Sequence, residues 1–116
     1  MRHRIKGKIL SRTKESRKAL LRNLATSIII YEKVKTTKAK AKAVKPMVEK
    51  IITRAKTNDL NSRRKLLEIL FHKKAVNKAL EVLGPRYKDR KGGYTRIINL
   101  RRRQGDNAEI VQIEFV

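Results

Sequence analysis

The chain has 116 residues and a mass of 13.5 kDa, the size of one domain with one modest core. Thirty-two Lys and Arg face ten Asp and Glu, a formal charge of +22 and a pI near 11.1. So large an excess repels itself, and a polyanion relieves it, nucleic acid first and an anionic membrane surface second. With no Cys, the chain has no disulfide, thiolate zinc site or thiol nucleophile, and its longest apolar run, Ile28 to Tyr31, is too short to span a membrane.

Residues 1–14 carry six positive charges and no negative one, so they read as a basic arm that orders only on assembly. Thr13 is a candidate N-cap for a helix reaching about Tyr31, with Leu20, Leu21, Leu24, Ile28 and Tyr31 on one face and Ile29 and Ile30 off it. Residues 32–36 suggest a short strand. From about Thr37 to Lys56, the spacing of Val44, Met47, Val48, Ile51, Ile52 and Ala55 predicts a second helix, kinked at Pro46. Asn58 or Asp59 starts a third helix through Leu66, Leu67, Leu70 and Phe71. A fourth holds Val76, Ala79, Leu80 and Leu83, and Gly84-Pro85 ends it with a left-handed cap. The period then changes. Tyr94 to Arg101 alternates as a strand with Tyr94, Arg96, Ile98 and Leu100 on one face, Gln104 to Asn107 turns, and Glu109 to Val116 alternates with Val111, Ile113 and Phe115 inward. The predicted architecture is α+β: a sheet of about three strands covered on one face by about four helices, residues 15–116, preceded by the arm.

No catalytic pattern accompanies this fold. The two histidines, His3 and His72, form no metal-ligand pair, and HExxH, GxSxG and nucleotide-loop glycine patterns are missing from the sequence. No enzyme activity and no cofactor are expected. The chemistry lies in the cations. Arg2, Arg4, Lys6, Lys8, Arg12 and Lys14 stud the arm, and Lys18 and Arg22 point away from the first helix's apolar face. Lys38, Lys42 and Lys45, with Lys56, flank the apolar face of the second helix, where Glu49 is the sole acid. A surface helix held by ion pairs would mix signs, so phosphate contact is favoured. The run 86–96, RYKDRKGGYTR, interleaves Arg86, Arg90, Lys91 and Arg96 with Tyr87 and Tyr94, and Arg101, Arg102 and Arg103 follow. Arginine forks onto phosphate or stacks on a base, and tyrosine stacks or donates its hydroxyl. Gly92-Gly93 either brings backbone close to a phosphate or makes a tight turn, with Tyr94 packed in the core. Zinc-finger, homeodomain, basic-zipper and RRM patterns do not occur. Composition alone leaves a ribosomal RNA binder, an architectural DNA binder and a cationic membrane-surface protein open.

Five blocks carry a resemblance: MRHRIKGK at the N-terminus, RKALLRNLATS at 17–27, TTKAKAKAVKPMVEKIITRAK at 36–56, GPRYKDRKGGYTRI at 84–97 and RQGDNA at 103–108. Together they resemble the bacterial large-ribosomal-subunit protein L-seventeen family, in order along essentially the whole chain. The resemblance implies a structural protein on large-subunit ribosomal RNA near the peptide exit side, cytoplasmic and ribosome-bound. Its implied neighbours are the L-thirty-two and L-twenty-two families, with no catalysis, required metal, membrane or small-molecule substrate. By matched position, Arg2, His3, Arg4, Gly7, Lys8, Arg12 and Thr13 belong to the arm, and Arg17, Lys18 and Arg22 to the first-helix motif. Arg86, Tyr87, Arg90, Gly92, Gly93, Tyr94 and Arg96 belong to the loop before the hairpin. Ile5 and Ile9 stand where the family often has basic residues, and Ser11 and Ser16 also depart from it. The arm therefore either makes fewer charged contacts or packs its isoleucines on a protein neighbour.

Overall fold

A computed structural model describes residues 8–116; Arg2, His3, Arg4, Lys6 and the first part of the predicted arm lie outside the described residues. Helix α1 spans Lys14–Tyr31, and Thr13 caps it in extended conformation, its hydroxyl accepting from Ser16 N at 3.4 Å. Its buried side centres on Ala25, Ile28 and Ile29, with Leu21, Leu24 and Ile30 packed alongside, whereas Tyr31, expected on the apolar face, is 70% exposed. Ile29, expected off that face, is fully buried, because the end of α1 is covered from more than one side. The chain then turns through Glu32 in the left-handed region (φ 66°) into strand β1, Lys33–Thr37.

Helix α2, Lys38–Ala55, buries Ala41, Val44, Val48, Ile51, Ile52 and Ala55, the face its spacing predicts. It continues through Pro46 without a break. Proline has no N–H, so the carbonyl of Lys42, four residues earlier, loses its helical donor. The ammonium of Lys8 donates to that carbonyl at 3.1 Å, joining the end of the arm to the second turn of α2.

Helix α3, Leu60–Leu70, starts at Asp59, whose carboxylate accepts from Ser62 N at 2.7 Å and lies below the usual carboxylate range for that reason. Leu66 and Leu70 enter the core, while Leu67 and Phe71 stay outside it. The spacing grouped all four, but neighbouring leucines on a helix are about 100° apart and only one of each pair meets α1 and α2.

Helix α4, Lys73–Lys78, widens into a π-helical turn over Ala79–Leu83, where Gly84 N donates to the Ala79 carbonyl, and continues as the short helix α5, Gly84–Arg86. The predicted left-handed stop at Gly84 is thus corrected: its φ and ψ are −55° and −56°, ordinary helix. Glycine is required there by space. A Cβ at position 84 would lie 2.4 Å from the Ala55 carbonyl oxygen at the end of α2. Pro85 occupies the first turn of α5, where a missing N–H costs little.

Strands β2, Thr95–Arg102, and β3, Glu109–Phe115, complete an antiparallel sheet of order β1-β3-β2. Val111, Ile113 and Phe115 face the helices, as predicted, and Ile97, opposite Ile113, joins them. The pairing shifts between Asn99 and Arg101, leaving Leu100 as the extra residue of a bulge. Ile98 and Leu100 lie on the sheet face away from the core, 39% and 43% exposed. The result is the predicted α+β layering, with helices on one face of a three-stranded sheet.

Candidate nucleic-acid interface

The predicted cations fall into several groups. The first sits where α2 begins. Glu109 pairs with Lys38 at 3.4 Å and with Arg102 at 3.2 Å, and Lys42 and Lys8 lie one turn along. Lys42 is exposed and Lys45 half-buried. Nearby in sequence, Arg12 donates to the Leu10 carbonyl at 2.8 Å and Arg17 to the Arg12 carbonyl at 3.5 Å, so both hold the entry to α1 as well as carrying charge.

The second group is the loop between α5 and β2. Its two tyrosines are 3% and 2% exposed, so neither Tyr87 nor Tyr94 offers a ring to a base. Tyr87 packs on Tyr94 and Phe115 at ring separations of 5.3 and 6.1 Å, and its hydroxyl donates to the Val116 carbonyl at 2.8 Å. The Tyr94 hydroxyl receives the Lys56 ammonium at 2.8 Å and donates to the Arg90 carbonyl at 3.1 Å. The ammonium bond holds the Tyr94 phenol below its ordinary range, against the opposing push of burial. Lys56 also donates to the Arg90 carbonyl. Glu49 accepts from Tyr94 N at 3.1 Å, Thr95 N at 3.0 Å and the Thr95 hydroxyl at 2.7 Å. Gly93 adopts φ 63°, a left-handed turn that glycine makes without strain, and nothing crowds the Cα of Gly92 or Gly93. The loop is therefore fastened from beneath by α2 and presents Lys88, Arg90 and Lys91 outward. Glu49 and Lys56 are the residues that sequence reasoning missed in this role; both stood in the α2 motif, but nothing in the sequence showed which loop they reach.

A third group is balanced by acids. Arg86 pairs with Glu32, which Lys78 also approaches at 3.3 Å. The Arg86 hydrogen bond, helped by Lys78, draws the Glu32 carboxyl below its usual range despite partial desolvation. Along the hairpin Arg96 meets Glu114 at 2.8 Å, and Arg103 forks onto Asp106 at 3.1 and 2.5 Å. The Arg103 fork, with the Ala108 N–H, brings the Asp106 carboxyl down to about 2. Arg101 is exposed at the bulge without an acid partner among the described residues.

The fourth group is the outer face of α1. Lys14 and Lys18 are exposed and have no acid within ion-pair distance among the described residues. The guanidinium of Arg22 stacks 4.3 Å from the centroid of the Phe71 ring. Lys14 is helical, so the described part of the arm ends at Thr13.

Among the described residues there is no cluster of three or more His, Cys, Asp or Glu suited to a metal, and no helix long and apolar enough to cross a membrane. Fold and charge together define a class: a small basic α+β domain that presents cations on several faces. Comparison with known proteins narrows the class. The family model described as ribosomal protein L17 matches residues 20–116. The chain is 51% identical to the large ribosomal subunit protein bL17 of Rickettsia bellii, over all of this chain and 82% of the relative. It is equally similar to the protein of that name from Hydrogenobaculum sp., 51% over all of this chain and 99% of the relative. The chain belongs to the ribosomal protein L17 family, a structural and non-enzymatic constituent of the large ribosomal subunit.

Proposed function

We propose that the chain binds large-subunit ribosomal RNA by neutralising phosphates from several sides and fitting the shape of the folded RNA, and so holds that RNA fold near the peptide exit side. The observation that carries this reading is the division of charge. The acids Glu32, Glu49, Asp59, Asp106, Glu109 and Glu114 are engaged within the protein. The cations of α1's outer face, Lys42 and the 88–91 loop have no acid partner among the described residues, so their charge is available to phosphate. Arm residues Arg2, His3, Arg4 and Lys6 extend the same reading by matched position. Phosphate contacts give affinity and register, and RNA shape gives the address. Neighbours from the L-thirty-two and L-twenty-two families follow from the family resemblance and take the apolar surface that RNA does not.

Sedimentation of the tagged chain from a lysate, repeated in roughly 1 M salt where the Debye length is about 3 Å, tests the reading. Retention on the large subunit after the wash is expected of a shape-fitted contact. Release to the top of the gradient, or migration with the nucleoid, would replace it with general polyanion affinity.

A further inference from the structure

Phe71 is an unusual residue for its place. It follows the last residue of α3 in the left-handed region, φ 58°, where glycine or asparagine closes a helix at least cost. A bulky aromatic accepts strain there, and its ring is not repaid by burial, since Phe71 is 64% exposed. The ring instead forms one wall of a cleft of about 260 Å³ whose other wall is the outer face of α1. An apolar cavity of about 150 Å³ admits benzene, so the cleft has room for a nucleobase.

The α1 wall is a single stripe, Glu15, Lys18, Ala19, Arg22 and Asn23, at helical spacing. Ala19 keeps it low, and Arg22 braces the Phe71 ring from above. The side chains of Glu15, Lys18 and Asn23 make no hydrogen bond or ion pair among the described residues. A carboxylate that accepts, an amide that does both and an ammonium that binds phosphate therefore line the cleft beside an aromatic ring that carries Arg22 on one face and is otherwise exposed.

We infer that this cleft seats one unstacked base of the ribosomal RNA, stacked on the face of Phe71 that Arg22 leaves open, with its phosphate toward Lys18 and an exocyclic amino group toward Glu15 and Asn23. The inference deepens the RNA-binding reading above and rests on it. An apolar peptide side chain in the same place would bury Glu15 and Lys18 without partners, which is unfavourable. A base brings a partner for each. The amino group favours adenine, cytosine or guanine over uracil.

Two measurements test it. The full chain is titrated with a large-subunit ribosomal RNA transcript over a range of salt. Phe71→Leu, which keeps apolar bulk without a π face, is expected to lose roughly 5- to 150-fold in affinity, the range for one stacked base, with the salt slope unchanged. Phe71→Trp is expected to retain binding. Phe71→Gly, which relieves the left-handed strain, is expected to lose the same affinity while melting no lower than wild type, which separates binding from folding. Wild-type affinity in Phe71→Leu overturns the inference and leaves the RNA-binding reading intact; a wild-type chain that does not bind the transcript overturns both. In parallel, large subunits carrying p-benzoylphenylalanine at position 71 are irradiated. A crosslink to ribosomal RNA is expected, and a crosslink to a neighbouring protein, or none, overturns the base assignment.

Discussion

The outer face of α1 and the β2–β3 hairpin are both rich in cations in the sequence, and the structure separates them. On the hairpin Arg96, Arg102 and Arg103 each meet an acid across or along the strands. On α1, Lys14 and Lys18 have no acid partner among the described residues, and Arg22 leans on an aromatic ring. The density of Lys and Arg therefore does not measure the charge offered to a partner. What matters is where the ten acids are placed, and in this fold several are set on the sheet and on α2, away from α1.

Four expectations test that contrast, taken from the largest effect down. Deleting residues 1–14 removes six cations at once, together with the Thr13 cap of α1 and the Lys8 bond to the Lys42 carbonyl of α2, but among the described residues no member of the buried core. The truncated body should still give a cooperative melt, while its incorporation into large subunits in cells fails; normal incorporation would show that the arm is dispensable. Glu49→Ala strips three hydrogen bonds from the start of β2 and should destabilise the fold by about 2–3 kcal/mol, measured by urea unfolding, because the Tyr94 and Thr95 N–H groups lose their acceptor. It should also weaken RNA binding through a loosened 88–93 loop, although it removes a negative charge. Electrostatics alone predicts tighter binding, so the sign of the change decides.

Next, neutralising Lys14, Lys18 and Arg22 together should flatten the salt dependence of RNA binding by about 2 units of slope, at roughly 0.7–0.9 per phosphate contact. Neutralising Arg96, Arg102 and Arg103 should flatten it less, since each of those charges already faces an acid. Equal slopes would erase the distinction drawn between the two regions.

The smallest effect is the pH dependence of the Arg103–Asp106 fork. Asp106 titrates near 3.8 in a model peptide and at about 2 here. Its contribution to stability is thus present above pH 3.8 and is lost as pH falls toward 2. Asp106→Asn should remove that portion of the acid destabilisation while leaving stability at pH 7 nearly unchanged, because the pair is solvent-exposed. Carboxyl titration by NMR checks the value directly.

How much of this could be read from the sequence differs from element to element, for physical reasons. Local rules served well where one chemical group decides: Thr13 and Asp59 as caps, the i, i+3, i+4 spacing of α2, and the strict alternation of β3. They failed where the deciding partner is distant in sequence. Periodicity places Leu66 and Leu67 close together on α3 but cannot tell which of them meets α1. The conformation of Gly84 is dictated by the Ala55 carbonyl, which no local pattern around Gly84-Pro85 contains. Tyr87 sits in a run of cations and glycines that reads as surface, and for Tyr94 the sequence leaves core packing and RNA contact both open; both rings are inside, because the C-terminal strand brings Phe115 and Val116 to Tyr87, on which Tyr94 packs. The cation-rich segments were legible as such; their neutralisation by Glu32, Glu109 and Glu114 was not, since those acids are 7 to 71 residues away.

The sheet has two edge strands, β1 and β2, each paired on one side with β3 and, among the described residues, with no strand on the other. Exposed edges of this kind invite a second molecule to add its own strand, and here they carry Lys33, Lys35 and Arg101, which have no acid partner among the described residues and set like charge against like charge when two copies approach. The charge that suits this protein to RNA thereby also acts as its guard against clumping before it reaches the ribosome. That guard is only as strong as its range. In concentrated salt, free chains should begin to scatter light before they unfold, whereas chains already seated on RNA should not.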